Sequence, residues 1–575
     1  MNAISKWLIS LAFLSGPMIA EAQICAVDTP CYSLLYTYPQ TSSGDTGITW
    51  QSVLSQGADG NLYSTIQTNG ASSQGTVYQM TTNGAYKAIY SFCAEGPPCA
   101  STGAIPDGGV ILGLDGNLWG TTQNGGEDAA GTVFKVTPEG AYKLVYSFTG
   151  GNTDDGAPSY PVVQGQDGNM YGVSEEVYAG QYGSFFKLTK KGVITPHPFV
   201  AAEGGNPNLP VQGTDGNFYG TMRTGGDPTC LCGSIYKATP AGKITVLHNF
   251  TGFDGAPYDG GFPYGVLVEG NDGNFYGTTY SGGNNGTLNG GVVFKITPEG
   301  KYTILHSFDF NPNATPPTYD GSNPESGLTL GSDGNFYGTT AHGGTPEGVD
   351  ARSYGTIYQI TPDGTETVLC SFFSATCSGA YGPTTALVQH TNGKFYGNTS
   401  GSSLGGSVFY GFDVGLLPFV KPETFWTADV GATAGFLAQG LTGTTEVLFD
   451  GTVSATFDVV SDTYLTATVP AGALSGPVTV TTPSGKLTLA RDFLVKPQVK
   501  SFTPSSGAVG STVTVTGVSL TQTKKVTLGG KAAKFTVISD TEVTAAVPTG
   551  AMTGDKITFT TAGGTASSAT PFTVD

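Results

Sequence analysis

The chain has 575 residues, 87 of them glycine, with 12% charged residues and a net charge of −19. Glycine is at about twice its usual share and charge at about half, which excludes a coiled coil, a helix bundle and a charged disordered chain. The acid excess argues against nucleic acid, because phosphate binding needs a basic surface. Aromatics at 11% and hydrophobics at 38% supply the core of a large all-β protein with many tight turns.

Residues 1–22 read as a secretory signal. Lys6 is the basic start, Trp7 to Leu14 the short apolar run, and Ala20-Glu21-Ala22 the cleavage site, so the mature chain is expected from Gln23. The apolar run is far below the roughly 20 residues that span a bilayer. A secreted, extracellular and monomeric product without membrane insertion is expected.

The eight cysteines fall into close pairs. In an exported chain this suggests disulfides: Cys25 with Cys31, Cys93 with Cys99, and Cys370 with Cys377. Cys230 and Cys232 stay open, because a bridge across one residue is strained. Zinc is the rival reading for the thiols, but the spacings are not of finger type and no His lies near.

A repeat dominates residues 33–412. Copies read DGNLYST from Asp59, DGNLWGTT from Asp115, DGNMYGV from Asp167, DGNFYGT from Asp215, DGNFYGTT from Asp272 and Asp333, and NGKFYGNT from Asn392. Each is followed by G-[TSV]-x-[FY], a second tight turn such as Thr137-Pro138-Glu139-Gly140, and an apolar strand ending in Ser-Phe. Four strands per repeat are predicted, taken here as a (110–114), b (118–121), c (132–136) and d (142–148) in the second copy. Asp-Gly between a and b predicts a type I′ hairpin. Four-stranded units of about 50 residues describe a β-propeller. The seventh copy lacks strand d, and residues 33–38 form a lone d-like strand. A seven-bladed propeller closed by that N-terminal strand is therefore expected over residues 23–415.

Past Pro418 the composition shifts to Thr, Val and Ala. Val459-Val-Ser-Asp-Thr-Tyr-Leu-Thr-Ala-Thr-Val-Pro470 is repeated as Val537-Ile-Ser-Asp-Thr-Glu-Val-Thr-Ala-Ala-Val-Pro548, 78 residues on. Two Ig-like β-sandwiches are predicted, residues 416–496 and 497–575, stacked as a semi-rigid arm. The acidity is uneven: residues 23–415 carry net −18 and residues 416–575 net −1.

The DGNLYGTT…GTVFKVTPEG…LYSF pattern resembles the GloVer tandem repeat of exported bacterial proteins, which implies propeller-like repeats and no established activity. Val499-x-Ser-Phe-x-Pro504 and Gly507–Gly517 make the last module similar to TIG/IPT domains, and the preceding module resembles it less closely at its start. Such modules usually act as spacers or partner contacts. The blades also resemble, more weakly, virginiamycin B lyase, whose chemistry uses Glu and His around magnesium on one face. Here Thr122, Thr279 and Thr340 stand at the matching position, which argues against that chemistry.

Antiparallel strands put the short a–b and c–d turns on one face and the long, variable b–c and d–a loops on the other. Recognition is expected on the long-loop face. Ligand-binding candidates there are Asp155, Asp254, Asp259, Asp320 and His342, because acids and amides beside exposed backbone suit hydroxyl-rich ligands. Glu175 and Glu176, directly after strand b of the third copy, are the candidate catalytic carboxylates. His248 and His306, at equivalent places in strand d, read as packing residues. No cofactor or metal is expected. Calcium is the cation the Asp-Gly-Asn turns would attract, but three residues fall short of its oxygen count. The leading expectation is a non-catalytic protein that binds a glycan or an extracellular protein. The alternative is a polysaccharide lyase or hydrolase on the same face.

Overall fold

The computed structural model describes residues 30–39, 47–49, 51–150, 154, 156–175, 182–252, 258–283, 290–311, 318–344, 354–374, 377–403 and 405–575. Every regular element among these residues is a β-strand. The described residues of 31–413 form seven antiparallel sheets of four or five strands and one two-stranded pair, Phe310–Asn311 with Thr318–Tyr319. The seven are numbered here by their second strands: Leu62–Ile66, Leu118–Thr122, Met170–Ser174, Phe218–Gly226, Phe275–Thr279, Phe336–Thr340 and Phe395–Ser402. Sheet two is complete as Val110–Leu112, Leu118–Thr122, Thr132–Val136 and Tyr142–Ser147. Sheet seven takes its last strand from the N-terminal segment. Cys31–Thr37 pairs antiparallel with Val408–Asp413, from Cys31 opposite Asp413 to Thr37 opposite Val408.

The second strands are buried on both faces, because each sheet packs between neighbours. The Phe-Tyr-Gly run explains how. Gly220 lies opposite Tyr236, and a Cβ there would meet the Tyr236 ring. Tyr219 stacks on Phe275 of the next sheet with ring centroids 3.8 Å apart, and Tyr276 repeats this on Phe336 at 4.1 Å. Tyr337 does so on Phe395 at 4.2 Å. A polar clasp adds to these contacts. Gln212 Oε1 accepts from Gln166 N of the preceding sheet at 2.9 Å, and Gln389 Oε1 accepts from Ser332 N at 2.8 Å. Gln56 of sheet one does the same to Thr391 N of sheet seven at 3.1 Å, which links the two ends of the series.

The a–b hairpins differ from the predicted turn. Gly60 N donates to Gly57 O and Gly57 N to Asn61 O, and within the turn only Gly60 has positive φ, 78°. This is a type I turn followed by a left-handed glycine, not type I′. The Asp side chain holds that form: Asp59 accepts from Asn61 N at 3.1 Å and Tyr63 OH at 2.7 Å.

Residues 421–496 and 498–574 each build two four-stranded sheets and one short parallel pair, in the same strand order. The first module is not part of a free arm. Arg491 Nη2 lies 2.9 Å from Glu269 Oε2, Lys496 Nζ donates to Gln166 Oε1 at 2.7 Å, and Gln439 Nε2 donates to Thr391 Oγ1 at 2.9 Å. It is therefore docked on the short-turn side of the repeat sheets, and only the second module projects from it. Ser475 and Gln522 join the two modules through hydrogen bonds of 2.9 Å in both directions. Disulfides link Cys93 to Cys99, Cys370 to Cys377 and also Cys230 to Cys232. Cys31 is disulfide-bonded; Cys25 lies outside the described residues. No helix among the described residues is long and apolar enough to cross a membrane.

Candidate recognition site

Residues at the start of sheet one, Tyr160, and residues at the starts of sheets four to seven line a cavity of about 390 Å³. Its walls are apolar, with Leu209, Val266, Leu328 and Leu387 from successive sheets. Phe419, Lys421, Trp426 and Arg491 of the first C-terminal module also line it. Arg491 and Glu269 have side chains 10% and 8% exposed, so this end is closed. Lys421 lines the cavity, and burial pushes its ammonium down to about 8. The wall of sheet five runs from Tyr264 to Glu269. At about 3.3 Å per residue, Tyr264 lies roughly 16 Å from the closed end.

Around the Tyr264 end the long loops bring an arc of polar and aromatic side chains together. Gln51 Nε2 donates to Glu175 Oε1 at 3.2 Å, across 124 residues of sequence. Glu175 faces Arg223 at 3.8 Å, with the two side chains 19% and 21% exposed. The Arg223 guanidinium sits 5.7 Å from the Tyr264 ring centre, and Tyr264 meets Tyr280 edge-on at 5.4 Å. Glu325 follows beside Tyr280, its carboxyl raised by burial and opposed by His342. His342 is exposed, and its backbone pairs with Ser322. Asp107 completes the arc and is 6% exposed. Its Oδ1 has no hydrogen-bond partner among the described residues. Burial first, and then the Glu175 charge, push its carboxyl up to about 6, against Thr49 and Arg223.

Of the candidates read from sequence, Glu175 and His342 lie on this arc. Asp259 and Asp320 do not, because each clamps its own d–a loop. Asp259 Oδ1 accepts from Thr251 N at 2.8 Å, and its Oδ2 lies 2.9 Å from His248 Nε2. Asp320 accepts from Asp309 N at 3.0 Å and lies 3.0 Å from His306 Nε2. These contacts give the two carboxylates a loop-closing role. His248 also stacks on Tyr302 at 4.1 Å, a packing role. Asp155, Asp254 and Glu176 lie outside the described residues. Asp107, Arg223, Tyr264, Tyr280, Glu325 and Gln51 were not singled out from sequence. A register signal for most of them exists. One position lies five residues after the first residue of strand b (Glu175, Arg223, Tyr280). Another directly follows a d–a proline, as in Pro106-Asp107, Pro263-Tyr264 and Pro324-Glu325.

The turn acids have internal partners. Asp215 accepts from Asn217 N at 3.0 Å, Tyr219 OH at 2.8 Å and Lys237 Nζ at 3.0 Å. Among the described residues no group of three or more His, Cys, Asp or Glu is placed to hold a metal ion. The arc offers acceptors, donors and two phenol rings at one partly exposed rim, which suits a ligand rich in hydroxyl groups.

The fold defines an all-β repeat protein of four-stranded antiparallel sheets, followed by sandwich modules. The chain belongs to the Gloeobacter/Verrucomicrobia repeat family, whose model matches residues 26–174 and 158–411. Residues 497–574 match the IPT/TIG domain. No curated protein shows significant similarity to the chain. Among solved structures it is similar to the surface glycan-binding protein PbSGBP-B from Prevotella bryantii, at 17% identity over 26% of this chain and 40% of that one, TM-score 0.21. It is also similar to SGBP-B from a complex xyloglucan utilization locus in Bacteroides uniformis, at 19% identity over 27% and 48%, TM-score 0.15. The match spans less than half the length of either protein. A fungal alcohol oxidase of the AA5 family, in complex with copper, matches at 11% identity over 92% and 98%, TM-score 0.41.

Proposed function

We propose that this is a secreted or surface-displayed recognition protein that binds glycans on its long-loop face. In this reading the seven sheets are blades of a closed seven-bladed propeller, residues 416–496 are an Ig-like plug, and residues 497–575 are a projecting TIG module. The Gln56–Thr391 clasp and the Cys31–Thr37 strand support closure. The disulfides and the leader-like sequence of residues 1–22 support export. The observation that carries the function is the Gln51–Glu175–Arg223–Tyr264 chain of contacts. It assembles side chains from separate repeats around Gln51 and Tyr264 of the cavity wall, away from the Arg491–Glu269 pair.

Asp107 favours a second reading. A buried carboxyl pushed up to about 6 beside a second carboxylate is the pairing a glycoside hydrolase uses. One experiment tests both. Residues 23–575 are titrated against neutral and acidic polysaccharides, with calcium and with EDTA, and the polysaccharide is recovered and sized. Saturable binding with intact polymer supports recognition. Shortened or unsaturated products support the hydrolase or lyase. Absence of binding to every polysaccharide contradicts the glycan reading and turns attention to a protein partner.

A further inference from the structure

Sheets six and seven carry an exposed aromatic cluster apart from the arc. Tyr354 stacks on Phe373 with ring centroids 4.6 Å apart and planes inclined by 29°. Tyr381 lies 5.7 Å from Tyr354 and 6.5 Å from Phe373. Phe373 is 40% exposed and Tyr381 37% exposed. A soluble protein usually hides such rings, and single exposed ones need no explanation. Three converging rings do.

The cluster is built. Phe373 sits at φ 66°, a backbone region bulky residues avoid. Its loop is closed by the Cys370–Cys377 disulfide, and Phe373 N donates to Cys377 O at 3.0 Å. The Tyr381 ring covers Gly401 of the paired strand, where a Cβ would overlap it. Tyr354 O accepts from Gly382 N at 2.9 Å, which ties the first ring to the third. Each ring is held by backbone that other parts of the fold fix.

The surroundings select the occupant. Residues 370–389 and 395–412 contain no charged side chain, within a repeat region of net −18. The two segments are rich in serine and threonine instead. Those two segments, which carry Phe373, Tyr381 and the strand opposite Tyr381, offer no counter-charge to a charged peptide or a polyanion. A pyranose ring presents an apolar C–H face to an aromatic ring and hydroxyl groups to the rim. Tyr354 lies in a b–c connection, and Phe373 and Tyr381 in the d–a connection from sheet six to sheet seven, Tyr381 on its short strand Ala380–Pro383, so all three belong to the connections that form the face carrying the arc.

We infer that Tyr354, Phe373 and Tyr381 form a stacking platform for the pyranose rings of a neutral polysaccharide. The platform is a second subsite apart from the arc, and it rests on the glycan reading above.

The test is affinity electrophoresis of residues 23–575 in gels containing mixed-linkage β-glucan, galactomannan or xylan, with polygalacturonate and alginate as charged controls. Phe373→Gly keeps the left-handed backbone, so the fold is retained and its melting temperature checks this. Phe373→Gly and Tyr354→Ala are each expected to weaken retardation by neutral polymers about tenfold. Phe373→Trp is expected to restore it. Wild-type retardation that survives both ring-removing changes overturns the platform and leaves the glycan reading standing. Retardation by the charged polymers alone also overturns the platform. A wild-type chain that no polysaccharide retards overturns the platform together with the glycan reading.

Discussion

Arg491 donates to Glu269 Oε2 at 2.9 Å, and the pair closes one end of the central cavity with both side chains about nine-tenths buried. Glu269 also accepts from Thr214 N at 3.1 Å and Thr214 Oγ1 at 2.6 Å. Arg491 lies against the Trp426 ring at 5.6 Å. A module far along the chain is thereby locked to the fifth repeat.

Removing one partner of a buried pair leaves the other charge uncompensated, at about 3–5 kcal/mol. Arg491→Met is therefore expected to destabilise the docked module strongly. Arg491→Met with Glu269→Gln is expected to recover most of that loss. Thermal unfolding and limited proteolysis near residue 418 check this. Equal melting of wild type and single variant would show that the pair does not hold the module.

The arc makes an opposed pair of predictions about Asp107. The negative Glu175 raises its pKa and the positive Arg223 lowers it. Glu175→Gln is expected to shift the Asp107 titration to lower pH, and Arg223→Gln to higher pH. Carboxyl-carbon NMR of the labelled protein reads both shifts.

Much of the repeat was legible in the sequence. Strand c of the second copy was expected at 132–136 and is Thr132–Val136, and the lone N-terminal strand pairs with Val408–Asp413. Alternating short strands and glycine turns are local signals, so a single copy reveals them. The site was less legible. Gln51 meets Glu175 across 124 residues and Arg491 meets Glu269 across 222. Such contacts are set by how sheets pack, which no single repeat encodes. The d–a acids have local partners that the sequence pattern does not spell out: Asp259 and Asp320 each lie beside a His of the preceding strand d.

Glu366 gives a pH prediction. Burial, with Asp320 adding and His306 opposing, pushes its carboxyl up to about 7, and its Oε1 lacks a partner among the described residues. Between about pH 4.5 and pH 7 the folded chain then binds more protons than the unfolded chain at this group, so its contribution to stability falls as pH rises through that window. Glu366→Gln is expected to melt higher than wild type at pH 8, by about 2 °C or more. The gap should close near pH 4.5. A constant gap across that range would contradict the assignment.

The turn acids are expected to stabilise by hydrogen bonding rather than by metal. Asp215→Ala strips partners from Asn217 N, Tyr219 OH and Lys237, at about 1–3 kcal/mol. EDTA is expected to leave the wild-type melting temperature unchanged. A drop in EDTA that Asp215→Ala abolishes would instead place a cation at these turns.

The most direct measurement is hydroxyl-radical footprinting of residues 23–575, with and without a saturating bound polysaccharide. Protection is expected at Tyr264, Tyr280, Phe373 and Tyr381, all on the long-loop face, with Phe502 and Met552 of the last module unchanged. Protection confined to the last module, with those four rings fully reactive, would contradict recognition on the long-loop face.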